Sequence, residues 1–215
     1  MNNKIIAPSI LAADHTKLLD EIKDFEKTWI HVDVMDGHFV DNINFGPKAV
    51  KDLVKNSDHF IDVHLMIENP DKYLQDFIDC KPDLISFHYE ATTNVNKLIQ
   101  SLKTNDILSG LVINPDTKID VVFPFLKDLD LVLIMSVYPG KGGQGFIENS
   151  YQKIIDLKKE ILAQNVNTLI ELDGGINKNT IPKCSKNGAD IFVAGSAIFN
   201  NDDKIKNYNL LKELC

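Results

Sequence analysis

The sequence predicts an α/β fold, a (β/α)8 TIM barrel formed by residues 1–215 as a single domain, and three observations carry that reading. Short apolar, β-branched runs recur eight times down the chain. Between them lie stretches with helical spacing and charged faces, among them HTKLLDEIKDFEK, NPDKYLQDFIDC, NVNKLIQSLK, YQKIIDLKKEILAQ and TIPKCSKNGA. No linker, low-complexity tract or shift in composition divides the 215 residues. Strands apolar on both faces that alternate with helices throughout signal a parallel sheet covered by helices. Eight units of roughly 25 residues fit a closed barrel with lean loops, somewhat below the usual size of about 250 residues. An open doubly wound sheet is the competing arrangement of the same alternation.

In such barrels chemistry gathers at the carboxyl ends of the strands, so each run is read for what closes it. The first, IIAPSIL from Ile5, ends in Pro8-Ser9. The second, WIHVDVM from Trp29, alternates Ile30, Val32 and Val34 with His31, Asp33 and Met35. Successive side chains of a strand face opposite ways, so the second set shares one face. Asp36, at the other parity, belongs to the following Asp-Gly turn. The third run, FIDVHLM from Phe60, carries His64 and Met66, with Asp62 a weaker candidate deeper in the barrel. LISFH from Leu84 and LSGLVI from Leu108 supply the fourth and fifth strands. LVLIMSV from Leu131 ends in Met135-Ser136 and leads into VYPGKGGQGF, the only glycine-dense segment, with Gly140, Lys141, Gly142 and Gly143. TLIEL from Thr168 ends in Asp173-Gly174-Gly175, and DIFVAG from Asp190 ends in Gly195-Ser196.

Two histidines and two aspartates from the second, third and seventh strands converge if the barrel closes. Imidazole plus carboxylate is a ligand set suited to Zn²⁺, Fe²⁺, Mn²⁺ or Co²⁺. A lone strand histidine is more often a hydrogen-bonded core residue, and a strand-terminal aspartate often caps a helix, so His64 and Asp173 decide nothing singly. His31 with Asp33 carries more weight: two ionisable groups on one interior face are costly to bury unless they pair or bind a cation. The glycine-bearing ends of the last strands read as a phosphate cradle, to which Lys141 adds a cation. Apart from Met1, the methionines Met35, Met66 and Met135 fall at strand ends, where they wall the site from water or simply fill core.

Bulk properties exclude some functions. A net charge of -8 argues against nucleic-acid and anionic membrane partners. Cys80, Cys184 and Cys215 are an odd, scattered set that suggests neither disulfides nor a thiolate metal site, and a cytoplasmic enzyme is expected. The N-terminal apolar run is too short for a signal peptide and is broken by Pro8.

Taken in order, APSILAAD, HVDVMDGHFV, DVHLMIENP, PGKGGQGFI, ELDGGI and VAGSAIF resemble the ribulose-phosphate 3-epimerase family over nearly the whole chain. The resemblance implies a (β/α)8 barrel that interconverts D-ribulose 5-phosphate and D-xylulose 5-phosphate in the pentose phosphate pathway with one divalent metal ion, zinc before iron, manganese or cobalt. It implies His31, Asp33, His64 and Asp173 as metal ligands, with Asp33 and Asp173 as the two acid/base groups. Ser9, Gly140 to Gly143, Gly174, Gly175, Gly195 and Ser196 are then substrate and phosphate contacts, joined by His64 and the three methionines. A homo-oligomer acting on a small sugar phosphate is expected. The chain departs from the family pattern at Lys141, where an aromatic residue is usual, at Tyr138 before the loop proline, and at Asp41, where proline commonly follows HFV. Related barrels epimerise other ketose phosphates, such as D-allulose 6-phosphate, with the same core motifs. An orotidine-phosphate type decarboxylase expects Asp-x-Lys-x-x-Asp on the third strand, which here reads DVHLM. A non-catalytic phosphosugar-binding module has no use for two bases.

Overall fold

A computed structural model describes residues 4–200 and 203–215, which leaves Met1 outside the described residues. Eight parallel strands appear where the apolar runs lie, with one short strand added. In chain order they are β1 (Ile5–Pro8), β2 (Trp29–Asp36), β3 (Ile43–Asn44), β4 (Phe60–Met66), β5 (Leu84–His88), β6 (Leu108–Ile113), β7 (Leu131–Met135), β8 (Leu169–Asp173) and β9 (Ile191–Ala194). The hydrogen-bonded order is β1-β9-β8-β7-β6-β5-β4-β2-β3. A parallel bridge between Ser9 and His31 brings the two sides of the sheet together, so the ring closes and the open-sheet alternative falls.

The added strand β3 pairs antiparallel with the end of β2. Its turn is the Asp36-Gly37 pair: the Asp36 carboxylate accepts from the backbone N–H groups of His38 and Phe39, both at 2.9 Å, and of Glu68 at 2.8 Å. One carboxylate therefore both shapes the turn and ties it to the loop after β4.

The helices that cover the barrel are α1 (Leu18–Ile22), α2 (Pro47–Asn56), α3 (Pro70–Ile78), α4 (Val95–Thr104), α5 (Ser150–Gln164), α6 (Ile181–Asn187), α7 (Ser196–Phe199) and α8 (Lys204–Glu213). Proline opens α2 and α3, where its missing N–H costs nothing. The expected strand-helix alternation fails once. Between β6 and β7 the chain forms a 3₁₀ helix over Ile119–Phe125, because Pro124 inside it removes a donor and blocks an α-helical ladder. No helix among the described residues is long and apolar enough to cross a membrane.

Strand parity separates two cores. Ile30, Val32 and Val34 face outward and pack with helix residues such as Leu53 and Leu74 in the larger cluster. The other parity fills the barrel. Its lower part is apolar, with Leu84, Leu131 and Ile191 above a rim that includes Trp29 stacked on Phe60 at 4.0 Å. Register sets the polar layers above: His31 lies beside Asp62, and Asp33 beside His64. Across the barrel, Met135 pairs with Asp173. The ionisable groups thus stand on rigid strands, at the end where the loops open.

Candidate active site

Four side chains meet at the carboxyl ends of β2, β4 and β8. His31 Nε2 lies 3.4 Å from His64 Nδ1 and 3.6 Å from Asp33 Oδ1. His64 Nδ1 lies 3.5 Å from Asp33 Oδ1 and 3.9 Å from Asp173 Oδ2. All four ligand atoms fall within 4.8 Å of one another. Ligands held at about 2.0–2.1 Å from a tetrahedral ion stand about 3.3 Å apart, so this spacing fits one divalent cation. The donor set fits too, with two imidazoles and two carboxylates.

A second cluster, His31, Asp62 and Glu171, lies directly below. Here His31 Nδ1 donates to Asp62 Oδ2 at 2.5 Å. That separation is too short for two ligands of one ion and fits the hydrogen bond by which a carboxylate orients a ligating histidine. Asp62, the weaker candidate of the sequence, therefore holds His31 with Nε2 toward the site. Glu171 is fully buried, with its Oε1 3.7 Å from His31 Nδ1, and neither carboxyl oxygen has a hydrogen-bond partner among the described residues. Burial first, and the neighbouring Asp62 charge second, push its pKa well up.

The upper carboxyls are driven apart. Burial opposes ionisation of Asp33, but His31 outweighs it and holds Asp33 well below the usual carboxylate range. Burial and the Asp33 charge push Asp173 up to about 7. His31 is also buried, yet Asp62 and Asp33 outweigh the desolvation and raise its pKa well above the ordinary histidine value. A metal ion held by these groups would compete with protons for them.

A cavity of about 430 Å³ opens above Asp33 and Asp173. Ser9 lines it and donates to Asp33 Oδ2 at 2.6 Å, which fixes the direction of that carboxylate. Met35, Met66 and Met135 form apolar wall. Gly140, Lys141, Gly142 and Gly143 line one side, in a loop held by Gln144, whose amide donates to Tyr138 O at 2.6 Å and to Lys141 O at 2.8 Å. Gly174, Gly175, Gly195 and Ser196 line the other. Glycine is required at 174 and 175. Their φ values are +108° and +66°, and an added Cβ would stand 2.2 Å from Val137 Cγ2 at the first and 2.6 Å from Phe146 N at the second. His31 and His64 are fully buried behind Asp33 and lie beside the cavity lining, not in it.

Sequence reasoning passed over His88 and Glu90, which extend the site: His64 Nε2 lies 2.9 Å from His88 Nε2, and His88 Nδ1 lies 3.3 Å from Glu90 Oε2. Burial pulls the His88 pKa down to about 4, so its ring is neutral. Glu90 is opposed by burial, but hydrogen bonds led by His88 hold its carboxyl at about 2. The signal was present in LISFHYE, since Leu84, Ser86 and His88 share the interior parity and a carboxylate follows two residues on. Glu171 was legible in the same way, two positions before Asp173 as Asp62 is before His64.

Comparison with known proteins agrees with this geometry. The Ribulose-phosphate 3 epimerase family matches residues 5–199. A ribulose-phosphate 3-epimerase of Bacillus subtilis is 45% identical over 205 residues, 94% of each chain. A chloroplastic ribulose-5-phosphate-3-epimerase of Arabidopsis thaliana is 43% identical over 204 residues, 93% of this chain and 73% of that one. Among solved structures, 3-keto-L-gulonate-6-phosphate decarboxylase of Vibrio cholerae superposes with a TM-score of 0.74 at 13% identity, over 100% of this chain and 97% of the other. At that identity the likeness speaks for the barrel alone. With the fold, the four converging side chains and these matches together, the chain belongs to the ribulose-phosphate 3-epimerase family.

Proposed function

We propose that the protein inverts C3 of D-ribulose 5-phosphate to give D-xylulose 5-phosphate, and the reverse, as a step of the pentose phosphate pathway. The observation that carries this reading is the pair Asp33 and Asp173. They enter from β2 and β8, their ligand oxygens lie within 4.8 Å, and both line one cavity. Inverting a carbon next to a ketone means removing its proton from one face and returning one to the other. One base cannot serve both faces; two carboxyl groups can, each acting as base in one direction and acid in the other.

The residues fit a divalent cation, and His31, Asp33, His64 and Asp173 would hold it. When bound, it supplies Lewis-acid stabilisation of the negative charge that grows as the C3 proton leaves, worth several kcal/mol. Zinc is the first choice, with iron, manganese and cobalt as ions that also accept this donor set. The protein's own groups do the rest. Ser9 aims Asp33, the three methionines exclude water, and the glycine turns bring backbone up to the phosphate end, so that binding there orients the reacting carbon. The three cysteines are free thiols, in keeping with a reducing cytosol.

The direct test is proton exchange. In D₂O, with a divalent metal present, the protein incorporates deuterium at C3 of D-ribulose 5-phosphate and forms D-xylulose 5-phosphate. Absence of both products overturns the reading.

Lys141 favours a second choice of substrate within the same chemistry. The sequence has no arginine, and among the described residues Lys141 is the only basic side chain on the cavity wall. We read it as a residue that selects among ketose phosphates by their length. Lys141→Phe is expected to change the ratio of kcat/KM between D-ribulose 5-phosphate and D-allulose 6-phosphate more than it changes kcat on the better substrate. An unchanged ratio counts against a selective role.

A further inference from the structure

We propose that Glu90 and His88 are positioning residues that fix the tautomer of the metal ligand His64. This rests on the cation reading above and extends it to side chains that touch neither cation nor substrate.

The argument is one of donor direction. A neutral imidazole carries one N–H and one bare nitrogen, and which is which is set by its partners. A carboxylate only accepts. Glu90 Oε2 lies 3.3 Å from His88 Nδ1, so that nitrogen bears the hydrogen. His88 Nε2 is then bare, and at 2.9 Å it accepts from His64 Nε2. His64 Nδ1 is left bare in turn, and it is the atom that faces Asp33, His31 and Asp173. A ligating nitrogen must offer its lone pair, so the chain of bonds delivers the required form of His64.

The chain is held along its length. His88 is fully buried, its ring 5.1 Å from that of His64 and 4.6 Å from that of Phe39. Glu90 is fixed from behind: its Oε1 accepts from the Asn114 backbone N–H at 2.8 Å and from the Thr117 hydroxyl. The loop that carries these donors is tied by Lys153, whose ammonium donates to Asn114 O at 3.0 Å and Pro115 O at 2.7 Å. His31 obtains its tautomer from Asp62 directly. For His64 the carboxylate stands one imidazole further away.

This arrangement makes Glu90→Gln a sharp test. Asn114 N–H and the Thr117 hydroxyl both need an acceptor, so the carbonyl oxygen of the new amide turns to them and its NH₂ faces His88. Every bond in the chain then reverses, and His64 presents N–H to the cation position. Titration of metal-stripped protein with Co²⁺, followed by its visible absorption, is expected to show about 10- to 100-fold weaker binding in Glu90→Gln, the range in which partners of ligating histidines act. Glu90→Asp, which remains an acceptor, should bind more tightly than Glu90→Gln. Thermal unfolding of the metal-free protein should not separate wild type from Glu90→Gln, as it would if the role were only structural. Long-range ¹H–¹⁵N correlation of ¹⁵N-histidine wild type loaded with Zn²⁺ should show hydrogen on His64 Nε2 and His88 Nδ1.

Equal Co²⁺ affinity in wild type and Glu90→Gln overturns the proposal, as does hydrogen on His88 Nε2. Should Glu90→Gln not fold, the wild-type tautomers decide alone. A wild type that binds no Co²⁺ removes the cation reading itself, and with it this proposal, a result distinct from equal binding by both proteins.

Discussion

Asp33→Asn and Asp173→Asn are each expected to lower epimerisation by about 10²- to 10⁴-fold, the range in which a positioned acid or base contributes. Asparagine preserves shape, and its carbonyl can still accept the Ser9 hydroxyl that reaches Asp33 at 2.6 Å, so the barrel should fold in both variants. Because both side chains also belong to the proposed cation ligand set, lost proton transfer must be separated from lost metal. Isotope exchange does so. With one carboxyl removed, the other still serves one face of C3, so each variant at saturating metal should exchange the C3 hydrogen of one epimer with solvent while failing to invert it. The two variants should exchange opposite epimers. Near-normal turnover in either, or loss of exchange from both epimers with metal still bound, counts against the two-carboxyl scheme. The double variant should be little slower than the worse single one, since groups that act as a unit are not additive.

What the sequence disclosed, and what it hid, follows from the range of the physics involved. The barrel was legible because eight strands buried on both faces leave eight apolar runs, and His31, Asp33, His64 and Asp173 stood out because ionisable groups on those runs demand a reason. Strand register made Asp62 the partner of His31, which sequence spacing could only suggest. The 3₁₀ helix over Ile119–Phe125 was missed because apolar spacing there resembles a helix, while Pro124 decides the hydrogen bonding. The strand β3 was missed because two residues carry no periodicity. His88 and Glu90 went unread for a different reason. Their meaning lies in contacts across β4, β5 and the loop after β6, and no local pattern encodes which nitrogen faces which.

Removal of the cation is expected to be as damaging as loss of either aspartate. Exhaustive chelation should lower activity by about 10³-fold or more, as several kcal/mol of lost charge stabilisation requires, and added metal should restore it. The same site predicts how metal uptake responds to pH. His31, raised by Asp62 and Asp33 against the pull of burial, and Asp173, pushed up to about 7 by burial and Asp33, both hold protons when no cation is present. As ligands both must be deprotonated, so metal and protons compete. The sign follows: affinity rises with pH, and below about pH 7, where two protons leave for each ion bound, it changes by up to about 100-fold per unit. Above about 7 Asp173 is already ionised and its proton no longer adds to the slope. Calorimetric titration with Zn²⁺ in buffers of different ionisation enthalpy counts the protons directly. A proton count that falls between pH 6 and pH 8 is the expected result, the change arising from Asp173. A pH-independent affinity would mean that the protons lie elsewhere and that the pairing of Asp33 with Asp173 does not govern the site.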